Sequence, residues 1–164
     1  GYSSTARLAP GQMVRLGMRA SRDGYWSDAG RMMVTGQPAP EQAAAYRDLV
    51  TIRESLVASI RPGVPCCTVY RAGMDAAAAH GIDILPELGL GHGIGVAVEE
   101  APYLAADDET PLQAGMVLVL APVVRGPGGA LLWSKDTVVV TETGCRLVGW
   151  WKDWREPYVP IEII

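Results

Sequence analysis

The sequence predicts an α+β domain, and three observations carry that reading. Two segments near the start read as strands on either side of a tight turn, the pattern of a β-hairpin. Apolar residues then recur at three-four spacing over several turns, as on one face of a helix. Later apolar runs are short, punctuated by Gly and Pro, and do not follow a strict βαβ order. With 164 residues and 49% apolar content, the chain is long enough for one domain with a real core and too apolar to be disordered.

Taken in order, Met13 to Arg19 and Tyr25 to Val34 read as strands joined by Ser21-Arg22-Asp23-Gly24, with Gly24 free to adopt positive φ. Gly36-Gln37-Pro38-Ala39-Pro40 breaks the pattern. Pro40 suits a first helical position, with Glu41 in the first turn. Ala45, Leu49, Ile52, Leu56 and Ile60 line one helix face, and Arg61-Pro62-Gly63 ends it. A second helix is predicted from about Thr68 to His80, closed by Gly81 and weakened by Gly73. Pro86 to Gly95 reads as irregular. Met116 to Val124 and Trp133 to Thr141 read as apolar strands around the turn Gly126-Pro127-Gly128-Gly129. Glu142-Thr143-Gly144 turns the chain into Arg146 to Trp150. No linker divides the chain, so residues 1–164 are read as a single domain with an aromatic tail over 149–164. Trp150, Trp151, Trp154 and Tyr158 of that tail suit a pocket wall, an interface, or a clamp on the terminus.

The formal net charge is −4 and no basic block occurs, which argues against nucleic acid as a partner. No apolar run has the length of a membrane span, and no secretory signal is evident at the start. Cys66, Cys67 and Cys145 are odd in number and include an adjacent pair, unlike a disulfide framework. A reduced, cytoplasmic setting is expected, with the thiols packed as small hydrophobes.

The most informative stretch is Gly91-His92-Gly93-Ile94-Gly95, followed by Glu99-Glu100-Ala101-Pro102-Tyr103. Glycine neighbours have no side chains, so the imidazole of His92 is expected to lie open to a ligand. Together with Gly24-Tyr25-Trp26-Ser27-Asp28-Ala29-Gly30-Arg31, Pro111-Leu112-Gln113-Ala114-Gly115-Met116-Val117 and Asp136-Thr137-Val138-Val139-Val140-Thr141, this stretch resembles the pita-bread family. That family holds methionine and Xaa-Pro aminopeptidases, prolidases and the metal-free hydrolase creatinase. The resemblance runs from about Val14 to Val148. It implies the C-terminal part of a pita-bread domain, such as a cleavage product or one half of a split protein. Such a piece is expected to cover an apolar face as a homodimer or against the missing N-terminal portion.

The resemblance also implies where a dinuclear metal centre would lie. Family metallopeptidases use two aspartates, one histidine and two glutamates, donors that suit paired divalent ions, and the ions activate a bridging water. Here the corresponding positions read Gly17, Asp28, His92, Ala121 and Lys135. Only Asp28 and His92 are kept, and Lys135 puts a cation where cations would sit. Asp136 neighbours Lys135, but adjacent strand residues face opposite ways. A second histidine of the family's loop reads Glu99, and Trp133 stands where Arg is common. No metal and no other cofactor is therefore expected. Lys135 is instead expected to place its ammonium at the metal position, with Asp28 and Glu99 as partners, because a buried carboxylate needs a counter-charge.

The candidate catalytic residues are His92, Glu99 and Asp28. An imidazole titrates near neutrality and suits acid/base work; the competing reading is a histidine kept by backbone contacts. Asp28 either orients His92 or binds a substrate cation, or it only pairs with Lys135 or Arg31. Of the adjacent Glu99 and Glu100, Glu99 is the pocket candidate and Glu100 suits a turn. Candidate substrate-binding residues are Tyr25, Arg125, Trp133 and Lys135. Three functions stay open. The first is a metal-independent hydrolase or lyase on a small amino-acid-like or C–N-bonded substrate. The others are a non-catalytic module binding a protein or peptide, and a conventional metal-dependent aminopeptidase or dipeptidase.

Overall fold

The computed structural model describes residues 5–149 and the backbone of residues 159–161. The aromatic residues Trp150, Trp151, Trp154 and Tyr158, singled out above, lie outside the described residues.

Strands β1 (Met13–Arg22) and β2 (Tyr25–Thr35) form the predicted hairpin. Its two-residue turn, Asp23-Gly24, has φ of 53° and 86°, both in the left-handed region that primed hairpin turns require. This turn sets the register, which pairs Arg19 with Asp28 and Gly17 with Gly30. Strand β10 (Val159–Ile161) adds to β2 in parallel.

Helix α1 (Pro40–Ser59) begins at the predicted proline, and the Gln42 side chain accepts the Ala39 N–H at 2.8 Å. The face read from spacing is the buried one: Ala45, Leu49, Ile52, Leu56 and Ile60 are all in the core. Helix α2 (Cys66–His80) starts two residues earlier than predicted, because Pro65 already provides an extended N-cap. It ends as expected at Gly81, in the left-handed conformation at φ 64°. Gly73 has a packing role there. A Cβ at this position would lie 2.6 Å from Leu90 Cδ1 and 2.9 Å from Leu56 Cδ2, so the helix approaches α1 closely.

The remaining strands are shorter than predicted. Strands β3 (Gly91–Gly93), β4 (Glu100–Tyr103), β5 (Val117–Leu120), β8 (Asp136–Val140) and β9 (Cys145–Leu147) form a sheet of order β4-β3-β5-β8-β9. Strands β6 (Val123–Arg125) and β7 (Leu131–Trp133) form a separate ribbon. The long apolar run over Met116 to Val124 is thus two strands, broken at Ala121-Pro122, since proline cannot donate to a ladder. Trp133 to Thr141 is likewise split, at Ser134-Lys135, where the chain passes from the ribbon to the main sheet. Asp108 fixes the turn after β4. Burial works against its charge, but the Thr110 hydroxyl and the N–H groups of Tyr103 and Thr110 outweigh that and hold its pKa below the ordinary value.

The histidine segment is not irregular, as the sequence suggested, but an inner strand of the five-stranded sheet. Its glycines do not open the imidazole. They let neighbouring strands close on it: a Cβ at Gly91 would meet Val119 O at 2.4 Å, and one at Gly93 would meet Ala101 O at 2.6 Å. His92 is accordingly buried, 7% exposed.

Gly93→Ala should cost about 1–3 kcal/mol in urea denaturation, because the methyl overlaps backbone rather than a movable side chain; an unchanged midpoint would refute the close approach. Burial pushes the Cys66 thiol up to about 11 from the ordinary 9.0, with Asp108 and Cys67 adding to the effect. Between those values the unfolded chain is deprotonated and the folded one is not, so stability should fall as pH rises through that window. At pH 8, iodoacetamide should label Cys66 no faster than the protein opens; rapid labelling of the native protein would contradict this.

Candidate functional site

The hairpin has two faces. Gly17 and Arg19 on β1 share one with Asp28 and Gly30 on β2, as their cross-strand pairing requires. Asp28 is 2% exposed, and an ionised carboxylate at that depth needs partners. Lys135 Nζ donates to Asp28 Oδ2 at 2.6 Å and Arg19 Nε donates to the same oxygen at 3.1 Å. Main-chain hydrogen bonds in both directions between Gly30 and Lys135, and one from Thr137 Oγ1 to Asp28 O, tie β2 to the start of β8.

Trp133 walls this arrangement. Its ring lies where a side chain at Gly30 would stand, since a Cβ there would be 1.7 Å from Cζ3. A Cβ at Gly17 would be 3.2 Å from Cη2. The Lys135 ammonium sits 5.7 Å from the centre of the same ring, within cation–π range. Gly17, Arg19, Asp28, Trp133 and Lys135 together line a cleft of about 380 Å³.

His92 stands behind the rim of this network. Its Nδ1 lies 2.9 Å from Gly93 O; a carbonyl only accepts, so Nδ1 carries a proton. Nε2 is buried without a hydrogen-bond partner among the described residues and lies 3.9 Å from Glu99 Oε1. The Glu99 side chain is 57% exposed and also meets Arg19 Nη2, at 3.5 Å. Glu100 has the turn role expected of it, accepting the Ala97 N–H at 2.9 Å. The Trp26 N–H donates to Gly95 O at 2.8 Å, docking the hairpin on the histidine segment.

Of the residues singled out in the sequence, Asp28, Lys135 and Trp133 line the cleft, Glu99 sits at its rim and His92 lies behind Glu99. Lys135 pairs with Asp28 as expected, whereas Glu99 engages Arg19 rather than Lys135. Tyr25 and Arg125 are not brought to the cleft. Tyr25 is 66% exposed beside the turn, and strand alternation puts it on the face opposite Asp28. Arg125 is held by Asp83 at 3.2 Å, at the end of β6 away from the Val123–Trp133 pair.

Sequence reading missed Arg19, although the two-residue turn places it opposite Asp28. It also missed a second buried network. Asp136, 5% exposed, accepts Arg31 Nη2 at 2.6 Å and Arg53 Nε at 2.5 Å. Arg31 Nη1 donates in addition to the Lys135 carbonyl at 2.9 Å. Arg31 thus pairs with Asp136 rather than Asp28, and Asp136 turns away from the cleft, as alternation with Lys135 demands.

The fold is that of a pita-bread domain. This chain belongs to metallopeptidase family M24, whose model matches residues 1–142. It is 30% identical to the Xaa-Pro dipeptidase of Pyrococcus horikoshii over 146 residues, covering 89% of this chain and 42% of that protein. It is 35% identical to the probable dipeptidase PepE of Mycobacterium tuberculosis strain H37Rv over 121 residues, covering 74% of this chain and 32% of that protein. Among solved structures, dipeptidase PepE from Mycobacterium ulcerans superposes with a TM-score of 0.84 at 33% identity, over 98% of this chain and 43% of that one. Methionine aminopeptidase from Rickettsia prowazekii shares the fold, with a TM-score of 0.76 at 18% identity, over 85% of this chain and 65% of that one. The chain spans less than half the length of the dipeptidase relatives it matches.

The residues present do not fit the dinuclear centre that the resemblance implies. Gly17 and Ala121 offer no side-chain donor, and the Trp133 ring crowds the path a longer side chain at Gly17 would take. Asp28 is already neutralised by an ammonium at contact distance. Among the described residues, no group of three or more His, Cys, Asp or Glu side chains is placed to hold a metal ion.

Lys135→Glu should accordingly destabilise the fold. It would set two carboxylates against each other with Asp28 at 2% exposure, a change expected to cost about 3–5 kcal/mol without added divalent metal. Thermal and urea denaturation in EDTA measure this, and a neutral result would remove the counter-charge role.

Proposed function

We propose that this chain is a metal-independent member of the M24 family that cleaves a C–N bond in a small amino-acid-like or dipeptide substrate. The observation that carries the proposal is the 2.6 Å contact between Lys135 Nζ and Asp28 Oδ2. It supplies a fixed protein cation at a position where the family resemblance calls for a metal ligand. The relatives' names, Xaa-Pro dipeptidase and dipeptidase, support a dipeptide-sized substrate.

In this reading His92 and Glu99 form the acid/base pair. His92 Nε2 holds the lone pair that takes a proton from the attacking water, and Glu99 stabilises the imidazolium so formed. The proton then goes to the leaving nitrogen. Because Nε2 is buried behind Glu99, the half-exposed Glu99 side chain must turn aside or relay the proton. Lys135 and Arg19 are placed to stabilise negative charge that develops in the cleft. The reaction would run in a reduced, cytoplasmic compartment.

The burial of Nε2 also favours a second reading, in which the pocket binds a peptide or protein without turning it over. The two readings separate on one experiment. Hydrolysis of a panel of dipeptides, including Xaa-Pro, should proceed undiminished in EDTA, and His92→Ala should lower kcat/KM by about 10²–10⁴. Activity that appears only with added Mn or Co would overturn the metal-independent proposal. Peptide binding without turnover, unaffected by His92→Ala, would establish the second reading.

A further inference from the structure

The cleft has more hydrogen-bond donors than its own residues satisfy. The Lys135 ammonium has three N–H bonds, and its one acceptor among the described residues is Asp28 Oδ2. The Arg19 guanidinium uses Nε on that same oxygen and Nη2 on Glu99, which leaves Nη1 without an acceptor among the described residues. Both cations line the cleft, but the one carboxylate lining it with them is Asp28. Glu99 contributes from the rim at 3.5 Å, longer than a charge-assisted hydrogen bond. The Trp133 ring, which lies over Gly17 and Gly30, lines the cleft beside the charges.

We infer that this cleft is a carboxylate-binding subsite, in which Lys135 and Arg19 together bind the ionised carboxylate of a small acid whose apolar part lies on Trp133. Because both nitrogens converge on Asp28 Oδ2, a second carboxylate can bridge them from the open side. Arg19 turns its fork from Glu99 to the ligand, and Lys135 adds one of its unused N–H bonds. An aromatic wall beside a few placed polar groups is the usual make-up of a small-molecule site. The inference deepens the proposed function, since it rests on the lysine standing in the pocket, and it identifies the substrate or product as one with a free carboxylate.

The test is isothermal titration of the full chain in EDTA at fixed ionic strength, with 3-phenylpropanoate, its primary amide and inorganic phosphate as probes. The acid should bind at least about ten-fold tighter than either the amide or phosphate. Arg19→Gln should weaken acid binding by about ten-fold while leaving the amide unchanged. Arg19 is roughly half exposed and Lys135 still neutralises Asp28, so this variant is expected to fold. Lys135→Met alone strands a buried carboxylate, so the lysine is tested in the Asp28→Asn background, where its loss should abolish the preference for acid over amide. Equal binding of acid and amide, equal or tighter binding of phosphate, or an unaffected Arg19→Gln variant would overturn the proposal, as would the absence of acid binding. Binding is read without turnover. Acid-selective binding with no hydrolysis would keep this subsite and remove the catalytic reading, whereas hydrolysis in EDTA without acid selectivity would do the reverse.

Discussion

The site depends on one constraint: the carboxylate of Asp28 is buried at 2% exposure and must be neutralised where it stands. An isolated ionised carboxylate at such depth would cost several kcal/mol. In a dinuclear metal centre the compensation comes from bound cations. Here it comes from the chain, through Lys135 and Arg19 on one carboxylate oxygen. The same contacts join β2 to the start of β8, so the pair that sets the charge of the pocket also fixes the two walls that enclose it.

A second buried carboxylate supports the first. Lys135 and Asp136 are adjacent and face opposite ways, so the strand that directs an ammonium into the cleft directs a carboxylate into the body of the protein. Asp136 is held there by Arg53 from the core face of α1 and by Arg31 from β2. Arg31 also bonds the Lys135 carbonyl, so the helix and both sheets meet at the backbone that carries the cleft lysine. Removing one partner of such a buried pair typically costs about 3–5 kcal/mol. This network keeps the register that aims Lys135 at Asp28.

Much of this was legible in the sequence where a local rule governs. The helix face from Ala45 to Ile60 follows from spacing alone, and Gly81 is a helix stop because it tolerates positive φ. The partnership of Asp28 with Lys135 was legible because charge balance demands it once both share a pocket. Arg19 was also within reach: a two-residue turn at Asp23-Gly24 forces Arg19 opposite Asp28, whereas a four-residue turn over Ser21 to Gly24 leaves that register open. The break at Ala121-Pro122 had its signal in the proline, and the apolar run around it concealed it. Arg53 had none, since an arginine within a helix gives no local sign that a carboxylate from β8 will meet it.

The glycines around His92 mark the division between the two levels. Sequence alone determined that the flanks of this imidazole carry no side chains, and that two of the five ligand positions the family resemblance implies keep their residue. Only the tertiary structure decided what fills the space so left. Strands β4 and β5 close to backbone contact over Gly91 and Gly93, and the Trp133 ring covers Gly17 and Gly30. The histidine is thereby buried rather than open. The physical reason is that glycine specifies an absence of volume, while the occupant of that volume comes from residues distant in sequence, whose approach is fixed only when the sheets pack.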